Sequence, residues 1–138
     1  MASNLQEKIV ANLIFNEDYA RKVYPFVKTE YFDAPYSTLV DVASEFFQKY
    51  NQLPHKDELK IELKNRRGIT DKQLNDTITA LDALRNEPSD PRWLMETTEK
   101  HFKEQSVFNA IVKSAGILEN EKGNRGEILT LVQNALSV

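Results

Sequence analysis

The chain contains no cysteine. That excludes disulfides, thiolate metal sites and cysteine nucleophiles, and it suits a reducing compartment without demanding one. Only two histidines are present, His55 and His101. No pair at helical i, i+4 spacing exists for a metal, and no Ser/His/Asp set can be placed. His55 lies beside Asp57 and Glu58, but acids at a helix start complement the helix dipole without any catalytic role. Glycine is scarce, and the pair in "KGNRG" (122–126) lacks both a preceding strand and the Gly-Lys-Ser/Thr ending of a phosphate loop, so it reads as a linker. Carboxylates are scattered rather than paired, which gives acid/base hydrolysis no footing. Nothing in the chain carries a reaction, and no catalytic, metal-ligating or cofactor-binding residue is assigned.

An excess of positive charge is also missing. Residues 1–70 carry ten basic and ten acidic side chains, residues 71–138 eight and eleven, and the formal net charge is −3. Binding nucleic acid by counterion release needs the opposite balance. No apolar run approaches the ~18 residues of a membrane span. The opening "MASNLQEKIV" has no basic segment leading into a long apolar one, so it is not a secretory signal. A soluble, cytoplasmic protein is expected.

What is present is helical periodicity over 138 residues, enough for one domain with a small appendage. Leu5, Ile9, Leu13 and Ile14 recur at steps of three and four, with Ser3 or Asn4 placed to cap the start. A short helix fits Glu17 to Val23 and stops before Pro25. Asp33 is positioned to cap a third helix with Pro35 in its first turn, burying Leu39, Val42, Ala43, Phe46 and Phe47 and running to about Tyr50. After the break "NQLP", His55 or Lys56 opens a fourth helix with Leu59, Ile61 and Leu63, and Gly68 stands where a left-handed C-cap is expected. Thr70 and Gln73 form a capping box ahead of the stripe Leu74, Ile78, Leu81 and Leu84. "NEPSDP" (86–91) is a turn with Asp90 as cap, and a long helix follows from Pro91 to about Glu119. The aromatic residues Tyr24, Phe26, Tyr31, Phe32, Trp93, Phe102 and Phe108 read mostly as core. No strand, internal repeat or low-complexity segment is visible.

The expected fold is therefore all-α. A compact helical head (1–67) precedes an antiparallel helical hairpin (68–120), and a loop with the start of one more helix closes the chain (121–138). The long helix places Phe108, Ile111, Ala115 and Leu118 at steps of three, four and three, the seam of a hairpin or coiled coil. A two-helix hairpin cannot bury two apolar faces by itself, so self-association is the first functional expectation. The last helix, with Leu129, Val132 and Leu136, has no obvious partner. Either it folds back or it leads into something that follows.

"EKIVANLIF", then Tyr31 and Phe32, then "FFQKYNQLP" and "ELKIEL" occur in the order found in the N-terminal domain of DnaB-type hexameric replicative DNA helicases, which this chain resembles, with the T-even phage branch the closest likeness. "WLMETTEKHFKEQSVFNAI" (93–111) resembles the second hairpin helix of that domain, and "GEILTLVQNALSV" the segment entering its linker. The resemblance implies a chain cut ahead of a RecA-like ATPase motor in an ATP-dependent 5'-3' DNA helicase of an infected bacterial host. ATP and Mg would belong to that motor, as would contact with DNA, and this chain itself would hold no cofactor. Hairpins pairing between subunits would build a collar on a hexameric ring and bind primase and the helicase loader. By position, subunit or partner contacts would fall on Leu74, Ile78, Leu81, Phe108, Ile111 and Leu118, and on Leu129, Val132 and Leu136 of the linker helix. Two other readings compete. One is a free-standing helical adaptor for a host or phage protein. The other is a helix-turn-helix DNA binder over "ELKNRRGITDKQLNDTI" (58–78), which two acids on the reading face oppose.

Overall fold

A computed structural model describes residues 3–119 and 125–137. The described residues are all-α: α1 (Ser3–Phe15), α2 (Glu17–Val23), two 3-10 turns (Tyr24–Phe26 and Thr29–Tyr31), α3 (Tyr36–Tyr50), α4 (Lys56–Asn65), α5 (Asp71–Ala83), α6 (Pro91–Glu119) and α7 (Arg125–Leu136). No strand occurs among them. The chain forms two compact units, residues 1–94 and 95–138, with α6 continuous from one into the other.

The first unit is organised by α1. Every residue from Ile9 to Ile14 is buried, so the helix presents no solvated face over that turn and a half and has to be wrapped. It packs against α2 and α3, and α3 in turn packs against α4, α5 and the second 3-10 turn. Tyr19, Ala20 and Val23 of α2, Leu39, Val40, Val42 and Ala43 of α3, and Leu59 and Leu63 of α4 are buried, as are Leu81, Leu84 and Leu94 further on.

Burying α1 on all sides also buries polar atoms, and each has a partner, as the low local dielectric requires. Gln6 donates to the Asp33 carboxylate at 3.0 Å and accepts from the Asp33 N–H at 2.8 Å. Asn12 donates to the Lys8 carbonyl at 2.8 Å. The Tyr24 hydroxyl donates to the Leu13 carbonyl at 3.0 Å, and burial pushes its pKa up. The Tyr24 ring stacks on Phe47 with centroids 4.5 Å apart.

Helix ends follow local chemistry at most boundaries. Asn16 accepts from the Tyr19 N–H and caps α2 at the expected place. Thr70 and Gln73 exchange both bonds of the capping box, at 3.1 and 3.0 Å. Asp90 accepts from the Trp93 N–H at 2.8 Å and starts α6. Asn51 adopts the left-handed conformation that ends α3, and Arg21 donates to its side chain and its carbonyl, both at 3.1 Å. At the end of α5, Lys56 donates to the carbonyls of Asp82 (3.2 Å) and Leu84 (2.7 Å), filling acceptors that a helix terminus leaves open.

Two expected boundaries differ. Asp33 does not cap α3: its carboxylate is taken by Gln6, 27 residues away, and no side chain caps that helix. Gly68 has the expected positive φ of 83°, but α4 has already ended in extended backbone at Arg66, so the glycine serves the turn beyond the cap. The caps proposed at Ser3 or Asn4 rest on side chains outside the described residues.

Leu39 is fully buried, so Leu39→Ala is expected to lower the unfolding free energy by about 2–5 kcal/mol. Thr70→Ala, which removes one exposed cap, is expected to lower it by about 1 kcal/mol. Urea denaturation followed by circular dichroism measures both.

Candidate functional site

The described residues assemble no catalytic constellation. No group of three His, Cys, Asp or Glu side chains among them can hold a metal ion. His55 stands at the exposed start of α4, where its N–H and ring nitrogen both lie 2.8 Å from Glu58. The bond from the His55 N–H, then that from the ring, holds the Glu58 carboxyl below the usual range. His101 is buried in α6. The cleft lined by Glu7, Lys8, Asn12, Arg85 and Glu87 mixes charges of both signs on open walls and aims no acid–base pair at a common point. No helix among the described residues is long and apolar enough to cross a membrane.

The α4–turn–α5 segment is occupied by its own structure. Arg66 bonds Asp41 at 2.8 Å and also pairs with Glu45, so its charge is turned to α3 rather than outward. Gln73 is spent on the capping box. These contacts disfavour a base-reading face there.

What α6 does display is an apolar face in the open. Phe108, Ile111, Val112 and Leu118 are between 53 and 59% exposed. They fall at i, i+3, i+4 and i+10, on one side of the helix, with Ala115 also exposed between them. Beside that face, Ala110 and Ser114 are buried. Over these three turns four large apolar side chains face solvent together, more contiguous apolar surface than a helix finished within its own chain leaves open.

The sequence-predicted contact residues divide accordingly. On α5 in the first unit, Leu81 is fully buried and Leu74 and Ile78 are half-buried. On α6 in the second unit, Phe108, Ile111 and Leu118 are exposed, and on α7 so are Leu129, Val132 and Leu136. Val112 was absent from that set, although its spacing of four from Phe108 would have found it. Of the aromatics read as core, Tyr24, Tyr31, Phe32 and Phe102 are buried. Phe26, Trp93 and Phe108 are exposed, and the Lys8 ammonium lies 5.8 Å above the Trp93 ring.

These placements separate by stability. Leu81→Ala is expected to lower unfolding free energy by about 2–5 kcal/mol, whereas Leu118→Ala stays within about 0.5 kcal/mol in dilute solution. Glu58 gives a pH test. A carboxyl whose pKa is lowered by folding adds stability above its unfolded pKa and loses it as pH falls through the folded value. The difference between wild type and Glu58→Gln is therefore expected to be greatest near neutrality and to close in acid, measured by urea denaturation across the pH series.

No family model matches the chain. It is, however, 29% identical over 143 aligned residues to a DnaB-like replicative helicase of Enterobacteria phage T4. The alignment covers 96% of this chain and 30% of that protein, so the chain spans under a third of its relative's length. The order of features read from the sequence and this alignment agree: along nearly its whole length the chain is similar to a DnaB-like phage replicative helicase.

Proposed function

We propose that this chain is the N-terminal collar domain of a phage replicative DNA helicase, joining subunits and receiving primase or the helicase loader during DNA replication in the cytoplasm of an infected bacterium. The observation that carries the reading is the open apolar face of α6, with Phe108, Ile111, Val112 and Leu118 exposed on one side of the helix. The similarity to a phage helicase supplies the context in which such a face has a use. In this reading α5 and α6 form the hairpin that pairs between subunits, and α7 is the linker helix, its residues Leu129, Val132 and Leu136 covered by a neighbour. ATP, Mg and DNA act in a motor that follows, outside this chain.

Magnitudes make the collar a collective device. About half of each exposed side chain is already covered, so closing the four contributes roughly 1 kcal/mol apiece, or about 8 kcal/mol across a two-fold pair. Association itself costs about 4–15 kcal/mol. One pair of domains is thus a weak dimer, and a ring that tethers several such pairs gains from their high effective concentration.

Light scattering after size exclusion tests this. Mass is expected to rise with concentration over the micromolar-to-millimolar range, and Phe108→Asp with Ile111→Asp is expected to abolish the rise without lowering helicity. A chain monomeric throughout would overturn the collar reading. The reading frame after Val138 tests the parent independently: an ATPase segment with a phosphate-binding loop supports it, and an immediate stop codon leaves the adaptor reading in its place.

A further inference from the structure

A second apolar surface lies in the first unit, on α3 and α4. On α3, Phe46 and Tyr50 stand one turn apart with ring centroids 4.7 Å from each other. On α4, which packs beside α3, Ile61 lies one turn beyond Glu58 with Glu62 next to it. These five residues and Gln52 of the connecting turn line a groove of about 400 Å³. Ile61 is 59% and Tyr50 49% exposed. Ile61 is turned away from Leu59 and Leu63, which α4 buries, while Tyr50 continues the line of Leu39 and Ala43 along α3 past the buried part of that face.

The rim is charged on one side. Glu58 and Glu62 follow one another by a single turn of α4. Glu58 is held ionised by its bonds to His55. Glu62 makes no hydrogen bond or ion pair among the described residues. On α3, Lys49 lies 5.2 Å from the Tyr50 ring centroid and is engaged there. A groove with straight helical walls, an aromatic and aliphatic floor and a carboxylate rim suits one kind of occupant: an amphipathic helix with large apolar residues on one face and lysine or arginine alongside.

We propose that the α3–α4 groove docks a basic amphipathic helix of a partner protein. A second copy of this chain is the poorer fit, since along Leu129, Val132 and Leu136 α7 brings a single cation, Arg125 at its first residue, to a rim of two carboxylates. The proposal does not rest on the collar reading, and the two surfaces can be tested apart.

The experiment titrates the full isotope-labelled chain with two synthetic helices that share a leucine stripe, one flanked by lysine and the other by glutamate. The lysine helix is expected to shift the amide signals of Phe46, Tyr50 and Ile61, and the glutamate helix to leave them in place. Ile61→Ala and Glu62→Lys are both exposed changes that leave the core intact, and each is expected to weaken binding by about tenfold. Phe108→Asp is expected to change nothing here. Equal response to the two helices, no response to the lysine helix, or affinity unmoved by Ile61→Ala and Glu62→Lys overturns the proposal. A concentration-dependent dimer broken by Ile61→Asp overturns it as well, by assigning the groove to a second copy.

Discussion

A helix that is buried on every side determines much of the first unit. From Ile9 to Ile14, α1 has no residue facing water, so its neighbours must close around it before it is stable. α2 follows after the single residue Asn16, which caps it; its Arg21 reaches the end of α3 at Asn51, and Tyr24 returns a hydroxyl to the carbonyl of Leu13. The polar atoms that such wrapping encloses would be costly alone, and the reciprocal Gln6–Asp33 pair shows how two of them are satisfied at once. α4 and α5 join this arrangement through α3, and Lys56 and Lys60 of α4 tie down the far end of α5 at Asp82 and Leu84.

With the first unit closed internally, apolar area left outside acquires meaning. Single exposed residues such as Phe26 are ordinary on any protein surface. A stripe of four large apolar residues exposed over three turns of α6 is a different matter. The same holds for a groove whose floor joins two rings and an isoleucine beneath two carboxylates. The first has the regular spacing of a helix-to-helix seam, and the second has a charge preference. They belong to different compact units.

Much of this was legible in the sequence where the deciding interaction is local. Asp90 with Pro91, Thr70 with Gln73, and the run Glu17–Val23 each place a helix end with residues a turn apart, and those ends stand where expected. Asp33 failed as a cap because its partner, Gln6, is distant in sequence and competes for the same carboxylate. Periodicity named α6's stripe, yet it also put Trp93 and Phe26 in the core, since spacing reports which residues share a face and not whether anything covers it. Ile61 shares α4 with Leu59 and Leu63, which are buried, yet points away from them and is exposed. The α3–α4 groove could not be seen at all, because it exists only once residues from two helices stand side by side.

The central claim is that the α6 face is left open by this chain and closed by another copy. Hydrogen exchange read as a function of protein concentration addresses it directly. Protection across residues 104–118 is predicted to grow with concentration, while protection across α3 and α4 stays constant. Full protection of 104–118 in dilute solution, unchanged on concentrating the protein, would contradict the account.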